Sequence, residues 1–147
     1  MGSRMPANPS NETIIAELRA RHESRYGKPD IEVIEAGRVR DFLFALDEPA
    51  QDIVPGVAVP SLFLLTLGRT RRPRGTRGSA VNAGDAYEFF APVHVGDTIR
   101  TVRELLGIDA KQGKQGVMYL TRTRSTYTNQ RGEQVAVSHQ NTLRWGL

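Results

Sequence analysis

The sequence predicts an α+β protein in which an antiparallel sheet wraps around one long central helix. Three observations lead to this prediction. The run Val57–Leu67 is apolar almost all round, which is typical of a helix buried on every side. Segments rich in strand-forming residues follow it one after another. Glycine-containing turn sequences separate those segments, as consecutive antiparallel strands require.

The N-terminal part of the chain is predicted to be a tail followed by a helix. The 147 residues suit one domain, and we expect it to span residues 11–147 behind a flexible tail at residues 1–10, whose start resembles a tag remnant. Ser10 is placed to cap a helix over Asn11–Tyr26, and Gly27 is placed to end it.

The middle of the chain is predicted to hold one strand and two further helices. Apolar and charged residues alternate over Ile31–Ala36, as in a strand with one wet face. A helix is predicted over Val39–Leu46, and a loop over Asp47–Pro55. The central, buried helix is predicted over Gly56–Leu67, with Pro60 near its first turn, where a missing N–H does least harm.

The C-terminal half is predicted to supply the sheet. The predicted strands are Ala83–Ala91, Thr98–Ile108, Gln115–Thr128 and Glu133–Trp145. Asn129–Gly132 reads as the hairpin loop between the last two. One face of the last strand is mostly apolar and is therefore predicted to meet the buried helix: Val135, Val137, His139, Asn141, Leu143 and Trp145. On this face, His139 is expected to be a satisfied core residue.

Composition excludes several classes of function. The chain has no cysteine, so disulfides and thiolate catalysis are excluded. No apolar run reaches the ~18 residues of a membrane span. No signal peptide is recognisable, and a cytoplasmic location is expected by default. The three histidines are far apart and have no carboxylate at metal-ligand spacing, so no metal site is expected.

Positive charge is concentrated between the predicted helix and the sheet. The net charge is +4, and arginines crowd one short segment: Arg69, Arg71, Arg72, Arg74 and Arg77. Such a segment binds phosphate or an acidic partner, or is a solvated loop. Nucleic acid is disfavoured because no aromatic residues are interleaved with these arginines.

Three segments resemble the MaoC-like dehydratase family, in particular its N-terminal or partner type of domain. They are Ile53–Phe63, Tyr87–Asp97 and Thr126–Ala136, and the likeness extends over about Val33–Trp145. The resemblance implies a hot-dog fold, which is a sheet wrapped around one helix. It also implies a domain that works in a pair, as a homodimer or as a heterodimer with a catalytic subunit.

The resemblance further implies hydration of 2-enoyl thioesters, or the reverse dehydration of 3-hydroxyacyl thioesters. The thioester is carried on coenzyme A or acyl carrier protein, and no other cofactor is implied. The N–H of Gly56 would hold the thioester oxygen. Ser61, Asn82 and Tyr87 would line the acyl tunnel. Arg71, Arg72 and Arg74 would clamp coenzyme A phosphates or dock acyl carrier protein.

One loop departs from the family pattern. Active members carry an Asp and a His in a D-x-N-P-x-H loop before the central helix, where they activate water. Here Asp47 matches the motif Asp, Pro49 comes one residue early, and the loop has no histidine. Asp52 stands near the vacant His position. The catalytic candidates are therefore Asp47 and Asp52. The alternative, which the missing histidine favours, is that Asp47, Glu48 and Asp52 belong to a solvated loop that caps the next helix.

Three functions remain open at this point. The chain is a subunit that shapes the acyl tunnel and takes its catalytic Asp and His from a partner. Alternatively it is a self-sufficient hydratase with Asp47 or Asp52 as the base, or a non-catalytic acyl-thioester binding protein.

Overall fold

The computed structural model describes residues 8–49, 52–68 and 77–147. The chain order of the elements is as follows: α1 (Asn11–Tyr26), β1 (Asp30–Val33), α2 (Ala36–Ala45), a 3-10 helix (Ser61–Thr66), β2 (Ser79–Phe89), β3 (Thr98–Gly113), β4 (Gly116–Thr128) and β5 (Gln134–Trp145). In the described part of the chain, no helix is long and apolar enough to cross a membrane.

Helix α1 has the predicted bounds and caps. The hydroxyl of Ser10 accepts a hydrogen bond from the N–H of Thr13 at 3.2 Å, which satisfies one of the free donors of the first turn. Gly27 closes the helix by donating its N–H to the carbonyl of Glu23 at 2.8 Å. The buried residues Ile14 and Leu18 give α1 the apolar stripe that faces the sheet.

The predicted central helix over Gly56–Leu67 is wrong. Only Ser61–Thr66 winds into a helix, and it is a 3-10 helix. Pro60 is its N-cap, and a residue that precedes proline is disfavoured in the α conformation, so Val59 stays extended. The segment is nevertheless buried as predicted, with Phe63 and Leu64 at 1% and 2% exposure.

The sheet has five antiparallel strands in the order β1-β3-β4-β5-β2. The α+β class is confirmed, with the helices on one face of this sheet, which we call the inner face. Consecutive strands β3, β4 and β5 are hairpin neighbours, whereas β2 crosses over to pair with β5. In the described residues, β1 and β2 each have a neighbouring strand on one side only, so they form the two edges.

The core under the helices is divided into two apolar clusters. The larger one joins α2 and the 3-10 helix to the sheet through residues such as Val39, Phe63 and Ile99. The smaller one joins α1 to β3 and β4 through Ile14, Leu18, Ile108 and Tyr119. Between the clusters, the inner face of β4 and β5 carries hydroxyl and amide side chains: Thr121, Thr123, Ser125, Ser138, Gln140 and Thr142.

The predicted inward face of the last strand is also wrong along most of its length. Gln140, Thr142 and Arg144 border the same cavity as residues of α1, so these even-numbered residues face the helix. His139 therefore lies on the outer face and is exposed. Apolarity misled the prediction, because here the helix-facing residues are the polar ones. Val135 is fully buried as expected.

The turn Val93–Asp97 connects the separate parts of the fold. The carboxylate of Asp97 accepts hydrogen bonds from the N–H of His94 and from the Gln130 side chain, each at 2.9 Å. Burial alone would raise the pKa of Asp97, but the hydrogen bonds from Gln130 and His94 outweigh it, and the pKa lies below its ordinary value. The β4–β5 hairpin, which carries Gln130, is thereby fixed to this turn.

We expect Asp97→Asn to destabilise the protein by about 1–3 kcal/mol at pH 7, because it weakens charge-assisted hydrogen bonds in a buried site. The folded-state pKa is depressed, so the carboxylate stabilises the fold above its unfolded pKa, and this contribution is lost as pH falls through the folded pKa. Urea unfolding between pH 7 and pH 3 measures the difference, which should shrink with acid.

Asp109→Asn is the matched control for this experiment. Asp109 is half exposed and pairs with Arg122 at 3.3 Å on the surface, where such pairs contribute about 0–1 kcal/mol. An Asp97→Asn loss no larger than the Asp109→Asn loss would contradict the role given to Asp97.

Candidate functional site

The loop that follows α2 carries the two predicted catalytic carboxylates. Asp47 and Asp52 both have left-handed backbone, with φ of 57° and 63°. Both side chains are exposed, and neither has a hydrogen bond or ion pair with any described residue. Residues 50 and 51, between them, lie outside the described ranges. The structure thus places both carboxylates in solvent rather than in a shaped pocket.

The segment after this loop is hydrogen-bonded to the turn Val93–Asp97 through an isolated bridge. Gly56 donates its N–H to the carbonyl of Val95 at 2.8 Å, and Val59 donates to Val93 at 2.8 Å. Gly56 has a φ of 88°, a conformation that glycine adopts readily. Because its N–H is already donated to Val95, Gly56 does not offer it to a thioester oxygen in this structure. Ser61 begins the 3-10 helix and is exposed.

His94 lies beside this entry segment. It forms an isolated antiparallel bridge with Ala58, and its Nδ1 is 3.7 Å from Oδ2 of Asp97, too far for a hydrogen bond. Its side chain is 37% exposed. The sequence placed His94 at a turn but gave no sign that the turn pairs with the residues after Gly56. It is the histidine that the described structure brings next to the predicted site.

A polar network occupies the inner face of β2, the edge strand. The carboxylate of Asp85 accepts hydrogen bonds from the amide of Asn82 at 2.7 Å and from the hydroxyl of Tyr87 at 3.1 Å. The rings of Tyr87 and Phe89 are stacked, with centroids 6.4 Å apart. Two of the three predicted tunnel residues, Asn82 and Tyr87, are therefore brought together by Asp85, which sequence reasoning missed.

A β-bulge makes this network possible. The pairing with β5 shifts between Asn82 and Gly84, so Asn82 and Asp85 share a face although they are three residues apart. Gly84 has a φ of 126°, and its N–H donates to the Asn82 side chain at 2.7 Å. Gly84 followed by an acidic residue is the signal that could have indicated a bulge.

Some of the other predicted site residues fall outside the ranges that the structure describes. Arg71, Arg72 and Arg74 fall outside the described residues, and Arg77, which is described, is exposed. In the ranges that are described, no three His, Cys, Asp or Glu side chains are grouped as metal ligands.

Solved structures share this fold. They include the ChsH1–ChsH2 complex of Mycobacterium tuberculosis, with a TM-score of 0.69 and 15% identity over 92% of this chain and 93% of that chain. The C-terminally truncated HadBC (3R)-hydroxyacyl-ACP dehydratase complex of the same organism has a TM-score of 0.61 and 18% identity over 79% and 91%. A MaoC-like dehydratase of Rhodospirillum rubrum has a TM-score of 0.56 and 17% identity over 82% and 92%.

The antiparallel sheet with its helices on one face is therefore a hot-dog domain of the MaoC-like type. The chain belongs to the family described as the FAS1-like dehydratase domain region, whose model matches residues 23–138. No curated protein sequence matches the chain.

We expect Gly84→Ala to destabilise the protein by about 1–3 kcal/mol, because alanine is strained at a φ of 126°. A Cβ at this position would meet no atom within 4 Å, so the loss would report backbone strain and not a clash. Denaturant unfolding measures it.

Gly37→Ala is the control, since Gly37 lies in α2 and a Cβ there also meets nothing within 4 Å. This substitution should leave stability unchanged or raise it by up to about 1 kcal/mol. Equal effects of the two substitutions would show that the β2 bulge does not depend on glycine.

Proposed function

We propose that this chain is a subunit of an enoyl-thioester hydratase or 3-hydroxyacyl-thioester dehydratase, and that a second hot-dog subunit supplies the catalytic Asp and His. The proposal rests on one observation: the loop after α2 has no buried acid–base group among its described residues. Proton transfer at neutral pH needs a group whose pKa lies near the working pH. Burial can bring a carboxylate into that range, but Asp47 and Asp52 are exposed, and their loop has no histidine.

Surface features support a second subunit. Among the described residues, β2 has a strand neighbour on one side only, and an unpaired edge is usually covered or paired in a stable protein. Large apolar side chains are exposed on the segments around the candidate site: Phe44, Leu46, Val54, Leu62 and Phe90. Such residues are typical of interfaces when they are grouped. Among the structural neighbours, HadBC and ChsH1–ChsH2 are both complexes.

The role proposed for this chain is to bind and orient the acyl thioester. The Asn82–Asp85–Tyr87 network presents fixed polar groups on the inner face of an edge strand. Ser61, at the start of the 3-10 helix, offers a further hydroxyl. The substrate carrier is coenzyme A or acyl carrier protein, and the reaction uses no other cofactor.

We expect the purified chain alone to show no hydration of crotonyl-CoA or of longer enoyl thioesters, measured by loss of enoyl absorbance. Co-expression with a cognate MaoC-like subunit whose loop carries both Asp and His should restore turnover. General acid–base groups contribute about 10²–10⁴-fold, so the difference is large. Size-exclusion chromatography should show the two chains in one complex.

Robust turnover by the chain alone would refute this proposal and favour the self-sufficient enzyme. Asp47→Asn, Asp52→Asn and His94→Gln then identify the base, since only the catalytic substitution removes turnover without changing stability. A chain that binds acyl-CoA but stays inactive with its partner would instead be a non-catalytic binding protein.

We also expect Arg71→Ala/Arg72→Ala/Arg74→Ala to weaken binding of acyl-CoA or acyl carrier protein, because arginine matches phosphate geometry and attracts acidic surfaces. The loss should be greatest at low ionic strength, since salt screens exposed charges. Calorimetric titration at two salt concentrations measures it. Lys28→Ala/Lys111→Ala/Lys114→Ala, at three exposed positions, is the control for the same loss of three positive charges. Unchanged affinity in the triple variant would leave the segment as a solvated loop.

A further inference from the structure

A cavity of about 590 Å³ lies between the second half of α1 and the inner face of the sheet. A second cavity of about 730 Å³ lies beside it, and the two share His22, Tyr26 and Arg103 in their walls. None of residues 46–49 and 52–61 borders either cavity, so these spaces are separate from the loop that carries Asp47 and Asp52. On the side of β5, Gln140 and Thr142 pair with Asp85 and Asn82 of the polar network. We call the first of them the α1 cavity.

The polar inner face of the sheet explains why the α1 cavity exists. Ile14 and Leu18 pack the first half of α1 closely against Ile108 and Tyr119. Beyond Leu18, the helix faces the hydroxyl and amide side chains of β4 and β5. Apolar packing cannot satisfy such groups, so a space with polar walls remains between helix and sheet.

The walls of the α1 cavity carry positive charge. Arg21 and Arg25 border it from the helix, and Arg103 and Arg144 border it from the sheet. No aspartate or glutamate is found among the described residues that border it. The cavity is therefore electrostatically suited to an anion and unsuited to a cation.

Three buried polar atoms in these walls have no hydrogen-bond partner. They are Nε2 of His22, Nε of Arg103 and Oγ1 of Thr121, and they are the buried side-chain atoms of this kind within the described residues. All three residues border the α1 cavity. Buried polar groups are nearly always hydrogen-bonded, so three unpaired ones around a single space indicate a missing partner.

Arg103 is held in position for such a partner. Its Nη2 donates to the carbonyl of Leu67 at 3.2 Å, and its guanidinium lies over the ring of Tyr26 at 5.0 Å. Nη2 has a second hydrogen, which together with the N–H of Nε forms one fork of the guanidinium. That fork matches two oxygens of a carboxylate or phosphate.

His22 is placed as a neutral neighbour of that fork. Burial lowers the pKa of His22, the Glu23 carboxylate opposes this effect, and the positive charge of Arg103 adds to it. A neutral imidazole donates or accepts one hydrogen bond at Nε2. It can therefore bind an anionic oxygen or a hydroxyl of the same ligand.

We infer that the α1 cavity binds a small molecule through a carboxylate or phosphate group, with Arg103 as the main contact and His22 and Thr121 as further hydrogen-bonding partners. A volume of about 590 Å³ is that of a small-molecule pocket and far exceeds one anionic group. The remaining wall offers hydroxyl and amide groups beside the apolar side chains of Leu18 and Ala20, so the rest of the ligand is of mixed polarity.

The test follows the imidazole signals of the full-length chain by NMR at a fixed pH and a constant ionic strength. Glutarate is the carboxylate probe, and inorganic phosphate is the phosphate probe. We expect one or both to shift the His22 signal saturably, while the exposed His139 on the outer face stays unchanged. A response to glutarate alone identifies a carboxylate ligand, and a response to phosphate alone identifies a phosphorylated one.

Arg103→Gln should weaken the binding more than tenfold, since it removes a charge-assisted pair of hydrogen bonds. Arg122→Gln is the matched control, because Arg122 lies on the outer face of β4 and pairs with Asp109. Thr121→Val removes one unpaired hydroxyl at nearly constant shape. It should leave the melting temperature unchanged or higher and weaken binding about threefold to tenfold.

Two results would overturn the inference. One is the absence of a saturable His22 shift with either probe, which would leave the α1 cavity a water-filled space. The other is that Thr121→Val and any folded Arg103→Gln protein both bind the probe as well as the wild type does. The His22 shift would then be assigned to general ionic effects.

Discussion

The turn Val93–Asp97 is the constraint on which the rest of the structure depends. On one side it pairs with Ile34, which directly follows β1. The N–H of Gly96 donates to the carbonyl of Ile34, and the N–H of Ile34 donates to the carbonyl of Asp97, each at 2.8 Å. On the other side it pairs with the segment that follows Gly56. The buried Asp97 carboxylate then fixes the turn to the β4–β5 hairpin. One short segment thus holds together the end of β1, the entry to the 3-10 helix and the β4–β5 hairpin.

This arrangement distinguishes two neighbouring segments. The entry to the 3-10 helix is held by hydrogen bonds to the turn, whereas the loop before it has exposed carboxylates. Gly56, Val57 and Val59 use backbone groups for hydrogen bonds to the turn, and these bonds hold the segment against it. The carboxylates of Asp47 and Asp52 lie before this fixed region, in exposed loop backbone. In the proposed function, a second subunit placed against the same surface supplies the acid–base pair.

Sequence reasoning succeeded where one local rule decided the outcome. Ser10 and Gly27 mark the two ends of α1, because caps satisfy backbone groups in any context. In the same way, Gly132 marked the hairpin loop before β5. It failed where two rules competed. In Gly56–Leu67, apolarity favoured a helix, but Pro60 and strand-like pairing with the turn prevented one. In β5, alternation correctly gave two faces, but the helix-facing one is polar.

The candidate site was predictable only in part for the same reason. Asn82 and Tyr87 were predicted as tunnel residues, and yet their link through Asp85 depends on a bulge that no spacing rule for a regular strand contains. Likewise, the grouping of His22, Arg103 and Thr121 depends on how a helix lies across a sheet. Residues on three different elements are brought together by packing, which the sequence does not state.

The bulge in β2 also bears on how related chains can differ in length. Ala83 is the extra residue of this bulge, and its side chain takes no part in the Asn82–Asp85–Tyr87 network. The pairing on either side of the bulge already places Asn82 opposite Thr142 and Asp85 opposite Gln140. Loss of Ala83 would therefore give a regular strand in which Asn82 lies two residues before Asp85 and still faces the helices. In alignments of such domains, a one-residue gap at position 83 is thus compatible with the same inner-face side chains.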